Sequence, residues 1–252
     1  MQTVILCGGQ GTRLGEHSRS LPKPLMEVGG MPILWHTMKI YAHYGHTDFI
    51  LCLGYMGKRI KDYFTAMMRE NGESSWSIVY AHTGPYTNTG GRVKLIEDLV
   101  EDETFFVTYG DGLARIDLDD LLRFHKSHNQ IATVTAVRPQ VNFGLMEIDP
   151  EGLVRNFREK PVLDYWANGG FFVFDRPVFD YLSDDCILER EPFERMALES
   201  QLAAYRHRGF WMCMDTCKDN LKLNEIWDAG DAPWKIWSEQ CHSDLAPIIK
   251  SS

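Results

Sequence analysis

The sequence predicts an α/β fold: a doubly wound, mostly parallel sheet flanked by helices, followed by a C-terminal portion of α+β character. Three observations carry this expectation. Thr3 to Cys7 is a short, apolar, β-branched run that leads into Gly8-Gly9-Gln10-Gly11, the pattern of a buried strand entering a glycine loop. The hydrophobic period then changes from strand-like to helical, and strand and helix patterns alternate through the first 70 residues. Such alternation belongs to a Rossmann-like sheet, whose ligand crevice lies beyond the carboxyl ends of the strands.

Each element has its own signal. Pro32 to Tyr44 spaces Ile33, Leu34, Thr37, Met38, Ile40 and Tyr41 as a helix requires, with Pro32 suited to its first turn and Gly45 to its end. Asp48 to Leu53 reads as a strand stopped at Gly54, and Lys58 to Met68 as the next helix. Further strands are expected at Ser77 to Ala81, Thr104 to Tyr109, Ile131 to Val137, Gly144 to Ile148 and Gly170 to Phe174. Leu118, Leu121, Leu122 and His125 share one face of a helix between Asp117 and His128, and a later helix is expected from about Phe193 to Gln201. Asp149-Pro150-Glu151-Gly152 is a good turn sequence, so Gly144 to Phe157 reads as a hairpin. No repeat, low-complexity stretch or Pro/Gly/Ser linker interrupts the 252 residues, which are read as one domain.

Composition narrows the function classes. With 44% hydrophobic residues the chain can bury a large core. Its 26 basic and 35 acidic side chains give a formal charge of −9, which argues against a grip on nucleic-acid backbones, so any anionic ligand must be held locally. Six cysteines without paired spacing suggest neither a zinc site nor a disulfide framework. The start lacks a signal-peptide pattern, and no apolar stretch approaches the roughly 20 residues needed to cross a bilayer. A cytoplasmic protein with free thiols, away from membranes, is expected. The segment from about Ser238 to Ser252 is polar and reads as a docking tail or a frayed end.

The chemistry begins at the glycine loop. Gly8-Gly9-Gln10-Gly11-Thr12-Arg13 supplies glycines that let backbone N–H groups approach oxygens, a hydroxyl, and a guanidinium fork. Lys23 follows, stiffened between Pro22 and Pro24, which suits one cation meeting a polyphosphate at a fixed place. No Gly-Lys-Ser/Thr follows, so this is not a Walker loop, and Leu14 occupies the third glycine position of a dinucleotide fingerprint. A glycine loop alone is equally well a structural turn.

Taken together, Val4 to Leu14 and Pro22-Lys23-Pro24 resemble the signature of the sugar-phosphate nucleotidyltransferases, and most closely their glucose-1-phosphate cytidylyltransferase branch. Supporting stretches follow in family order. They are Gly30-Met31-Pro32-Ile33-Leu34-Trp35-His36, Thr89-Gly90-Gly91-Arg92, Thr108-Tyr109-Gly110-Asp111-Gly112, Glu159-Lys160-Pro161, Asn168-Gly169-Gly170-Phe171-Phe172, Gly209-Phe210-Trp211 and Met214-Asp215-Thr216.

The resemblance implies transfer of CMP from CTP to a phosphorylated small molecule, with release of pyrophosphate, for cell-surface polysaccharide synthesis. It implies Mg²⁺ on Asp111 and Asp215; the plain alternatives are a turn former at Asp111 and a helix cap at Asp215. It also implies that Lys23 contacts the triphosphate, that Arg13 stabilises the leaving pyrophosphate, and that Lys160 holds the acceptor phosphate. Leu6, Cys7, Gly8, Gly9, Gly11, Thr12, Thr83, Thr89, Gly91, Arg92 and Gly110 would surround the nucleotide, within about residues 1–112. Tyr109 would form the acceptor side together with Gly144, Glu159, Asn168, Gly169, Gly170 and Trp211 of the portion at about residues 113–237. Relatives of this kind are usually homo-oligomers, and Trp211, Trp227, Trp234 and Trp237 would serve as an interface or as core.

The sequence departs from the branch in one place: the stretch between the helix at 58–68 and Thr83 is short by about twenty residues. That missing insert, and the bulky run Val162 to Ala167, leave room for a non-sugar acceptor such as phosphoglutamine. Base choice likewise extends to UTP or dTTP. A reading of another class, an inactive nucleotide-binding subunit, is countered by the presence of Lys23, Asp111, Lys160 and Asp215.

Overall fold

The computed structural model describes residues 1–11, 21–70 and 75–237. Thr12 and Arg13, and the tail at 238–252, lie outside them. Strand β1 (Thr3–Leu6) is buried along its whole length, as a central strand must be. A short hairpin of β2 (Glu27–Val28) and β3 (Met31–Pro32) feeds helix α1 (Ile33–His43). Its turn places Gly29 at φ 59 and Gly30 at φ 79, and a Cβ on Gly29 would lie 2.1 Å from the indole nitrogen of Trp227. Glycine is required there for conformation and for space.

The chain continues through β4 (Asp48–Leu53), α2 (Gly57–Glu70), β5 (Ser77–His82), α3 (Thr89–Lys94), β6 (Thr104–Tyr109), β7 (Gly112–Ala114) and α4 (Leu118–Lys126). The second half comprises β8 (Ala132–Val137), β9 (Leu145–Ile148), β10 (Val154–Arg158), β11 (Ala167–Asn168), β12 (Phe172–Asp175), α5 (Glu191–Leu198), β13 (Leu202–Arg206), β14 (Trp211–Cys213) and α6 (Cys217–Asp228).

The main sheet has eight strands. β5, β4, β1 and β6 run parallel side by side; β12 lies antiparallel against β6 and β8, and β13 runs parallel to β8 on its far side. β11 pairs with the same strand as β12 but in a register shifted by two residues, so the two are one strand interrupted at Gly169-Gly170-Phe171. The expected doubly wound, mostly parallel architecture is the one observed. Alternate residues of β1 feed opposite faces: Ile5 joins the core under α1 and α2, whereas Val4 and Leu6 join the core under α3 and α5.

Several expected elements keep their bounds, notably the strands at 48–53 and 104–109. Asp117 caps α4 by accepting from the Asp120 amide at 2.8 Å. The helix expected from Phe193 instead starts at Glu191, because Pro192 fits its first turn, and stops at Leu198. Helix α3 and strands β13 and β14 had no expectation attached to them.

Of the four C-terminal tryptophans, Trp234 belongs to the core, and Trp211, Trp227 and Trp237 are partly buried against it. Trp234 is fully buried, and Trp227, Trp234, Trp237 and Trp35 ring His36. His36 Nε2 donates to the Val28 carbonyl at 2.7 Å, and Nδ1 accepts from the Trp234 indole at 3.4 Å, so the imidazole is held neutral. Burial lowers its pKa to about 4. An unfolded histidine, titrating near 6.5, takes up a proton that the folded site refuses. This contribution to stability is therefore complete above pH 6.5 and is lost as pH falls toward 4, a span worth about 3 kcal/mol. His36→Gln should flatten that part of the Tm-against-pH profile; an unchanged acid slope would assign the loss to other groups.

Among the described residues no helix is long and apolar enough to cross a membrane, and Cys7, Cys52, Cys186, Cys213 and Cys217 form no disulfide.

Candidate active site

From β1 the chain moves outward to β4 and β5 and then returns to β6 on the other side of β1. The gap between the carboxyl ends of β1 and β6 is thus a topological switch point, where peptide ends diverge and leave a crevice. An open cleft of about 430 Å³ lies there. Leu6, Cys7, Gly8, Gly9 and Gly11 form one wall, Tyr109, Gly110 and Asp111 another, and Lys23, Arg92, Thr89 and Asp215 complete the lining.

The glycine wall is shaped by one buried side chain. Arg92 donates from Nη1 to the Leu53 carbonyl (3.3 Å), Thr83 Oγ1 (2.6 Å) and the Gly84 carbonyl (2.8 Å), and from Nη2 to the Gly8 carbonyl (3.0 Å). It ties together the loops that follow β1, β4 and β5. A Cβ on Gly8 would stand 2.2 Å from Nη1, so only glycine lets the loop close on the guanidinium.

At the opposite end, Lys23 Nζ lies 2.6 Å from Asp111 Oδ2 and 2.7 Å from Asp215 Oδ1. Burial works against its charge, but Asp111 and then Asp215 outweigh it and hold its pKa above the usual lysine value. Asp215 is not the helix cap: Thr216 is, accepting from the Asp219 amide in a capping box with the Asp219 carboxylate. Its carboxylate is thereby left to face Lys23. Among the described residues no group of three or more His, Cys, Asp or Glu gathers as a metal cage. Asp111 and Asp215, which already share one cation, are the hard oxygen donors here that could hold a divalent ion.

The thiols near the cleft are not nucleophiles. Burial pushes the Cys7 thiol well above its ordinary value, and burial followed by Asp215 and Asp111 pushes Cys213 up to about 12. Neither supplies a thiolate at neutral pH.

Other expected residues fall elsewhere. Thr83 is buried behind Arg92, donating to the Leu53 carbonyl at 2.9 Å, so it shapes the cleft without lining it. Gly91 likewise packs against the backbone of Asp184, which a Cβ would approach to 2.3 Å. On the acceptor side only Tyr109 reaches the cleft. Asn168 donates to its hydroxyl at 3.1 Å, Gly170 (φ 75) packs on its ring, and Trp211 donates to the Gly169 carbonyl at 2.7 Å; these form the wall behind it.

Lys160 and Glu159 pair with each other at 3.7 Å at the base of the β9–β10 hairpin, and Lys160 is half-exposed with φ 45. Gly144 faces Phe157 of that hairpin rather than the cleft. These three are not brought to the cleft because the hairpin is paired only with itself. Pro24 of the Pro22-Lys23-Pro24 motif lines the cleft too, as do Thr87 and Asn88, to which no motif pointed; the run Thr87-Asn88-Thr89 at the start of α3 was the available signal.

The family model for nucleotidyl transferases matches residues 2–229. The chain belongs to that family. As a nucleotidyltransferase it is 43% identical to the glucose-1-phosphate cytidylyltransferase of Salmonella typhi, over 94% of this chain and 100% of the relative. It is equally similar, with the same coverage, to a protein of Bacillus subtilis (strain 168) named probable glucose-1-phosphate cytidylyltransferase. A solved UDP-glucose pyrophosphorylase in complex with UDP-glucose superposes with a TM-score of 0.71 over 91% of this chain and 98% of that one, at 14% identity, a likeness of fold. Within this nucleotidyltransferase the glycine wall, Lys23 and the two aspartates are the parts that can serve phosphate chemistry.

Proposed function

We propose that this nucleotidyltransferase moves CMP from CTP onto the phosphate of a sugar 1-phosphate, glucose 1-phosphate first among them, with Mg²⁺ held by Asp111 and Asp215. The observation that carries the reading is the meeting of Lys23 with both carboxylates at the rim of a glycine-walled cleft. Choice of base and acceptor rests on relatives that match over their entire length.

The backbone around Gly8, Gly9 and Gly11 would receive the triphosphate, and Thr87 to Thr89 the nucleoside. An oxygen of the acceptor phosphate attacks the α-phosphorus, the bond to the β-phosphate breaks, and pyrophosphate leaves. That acceptor is already anionic near neutral pH, so no protein base or covalent intermediate is required, and positioning with charge neutralisation supplies the catalysis. Lys23 neutralises the charge that develops on the phosphates. A bound Mg²⁺ supplies Lewis-acid neutralisation of phosphate oxygens.

Incubation with CTP, UTP or dTTP, each with Mg²⁺ and either glucose 1-phosphate or phosphoglutamine, should release pyrophosphate fastest with CTP and glucose 1-phosphate. Release with UTP or dTTP but not CTP would defeat the cytidylyl assignment, and turnover of phosphoglutamine alone would defeat the sugar. Asp215→Asn should raise the Mg²⁺ concentration for half-maximal rate by at least ~10-fold, equivalent to ~1.4 kcal/mol of binding. An unshifted Mg²⁺ curve would remove Asp215 from the metal site.

A further inference from the structure

We infer that Glu189 is a positioning residue whose carboxylate couples the nucleotide and acceptor halves of the cleft, an inference that rests on the activity proposed above. Glu189 stands just before α5 and does not line the cleft, yet it holds two residues that do. Its Oε2 accepts from Thr89 Oγ1 at 2.7 Å, and its Oε1 accepts from the Tyr109 hydroxyl. Thr89 opens α3, the helix whose Arg92 shapes the glycine wall; Tyr109 ends β6 on the acceptor side. One carboxylate therefore spans the two substrates' walls.

The proton order along this chain is fixed. Tyr109 has a single hydroxyl proton, and it is spent on Glu189, so the same oxygen must accept from Asn168 Nδ2 at 3.1 Å. That orients Asn168 with its own oxygen toward the Gly170 amide at 2.9 Å. On the other side Thr89 donates to Glu189 and accepts from the Leu188 amide at 3.0 Å. Each hydroxyl has its own carboxylate oxygen, an arrangement that the single carbonyl oxygen of an amide does not reproduce.

A purely structural tie would be redundant. The loop that carries Glu189 is already fastened to α3 by the Gly91 amide on the Cys186 carbonyl (3.0 Å), by the Asn88 amide on Asp185 Oδ1 (3.0 Å) and by the Leu188 amide on Thr89. What the carboxylate adds is the orientation of two hydroxyls. When an acceptor orders Tyr109 and Asn168, Glu189 is set for Thr89, and the nucleotide meets a prepared wall.

The test uses the full-length enzyme and a non-reacting α,β-methylene analogue of whichever triphosphate the pyrophosphate assay selects. Its affinity is measured by calorimetry with and without saturating acceptor. The wild type should bind the analogue at least ~5-fold more tightly when acceptor is present, and the acceptor should gain by the same factor. Glu189→Gln should bring that ratio close to one. Thr89→Val and Tyr109→Phe, which each remove one hydroxyl and spare the carboxylate, should do the same, so the inference remains testable if Glu189→Gln folds poorly. No synergy in the wild type, or a ratio that survives the substitutions, overturns it. So does a parallel loss of both affinities at constant ratio, which is the mark of a structural role. Binding without coupling sinks this inference alone; failure to bind any triphosphate sinks the proposed activity and the coupling with it.

Discussion

Lys23→Ala is expected to lower kcat/KM by at least ~100-fold while the protein stays folded, the scale of losing one preorganised charge contact in a transition state. The side chains of Asp111 and Asp215 are 26% and 38% exposed, so without Lys23 they can hydrate rather than force the site apart. The loss should therefore appear in turnover, with a Tm near that of the wild type when Mg²⁺ is present. Near-normal turnover would remove Lys23 from the mechanism. Lys23→Arg is not a rescue, since a planar fork does not reproduce the compact ammonium that sits between two carboxylates.

Arg92→Met should act through stability as well as binding. It strips a cation from the Gly8, Leu53 and Gly84 carbonyls and the Thr83 hydroxyl, all at the ends of adjacent parallel strands. The Gly8 and Leu53 carbonyls keep the Tyr55 and Thr83 amides as donors, whereas the Gly84 carbonyl loses its donor and the three strand ends lose their shared tie; with ~1–3 kcal/mol for a buried acceptor left unpaired, a net loss of about 2–4 kcal/mol is expected. For a chain of this size that lowers Tm by roughly 10 °C. Arg92→Lys should recover only a small part, because one ammonium cannot reach three separate loops. A thermal midpoint within a degree or two of the wild type would show that the loops hold themselves.

Much of this architecture was legible from the chain. Strands such as Asp48–Leu53 and Thr104–Tyr109 are apolar, β-branched or aromatic, and stopped by glycine, so pattern and structure agree to the residue. Helix α3 was not legible, because Thr-Gly-Gly-Arg-Val-Lys carries two glycines and spans six residues. Its stability comes from the Cys186 and Asp185 contacts, which lie far along the sequence. β13 was hidden for a similar reason: Leu202-Ala-Ala-Tyr-Arg has weak strand preference and is fixed by parallel pairing to β8. At the site, Lys23, Asp111 and Asp215 were identified by motif and meet as expected. Thr83 and Gly91 belong to the right segment but face the protein, a distinction that depends on where Arg92 lies. Glu189 sits outside the motifs that carry the resemblance, and only its two hydroxyl partners reveal it.

The contact between Lys23 and Asp215 joins positions 192 residues apart. Helix α6, immediately after Asp215, is anchored to the N-terminal hairpin by Asn220 and Asn224 on the Glu27 carbonyl and by the Gly29 amide on Asn224. A nascent chain that has emerged only as far as β13 can already form β1, β4, β5 and β6, but it lacks one of the two carboxylates. Closing so long a loop is entropically late. During refolding from denaturant, far-UV ellipticity should therefore return before the ability to release pyrophosphate, with the interval set by the docking of the last helix.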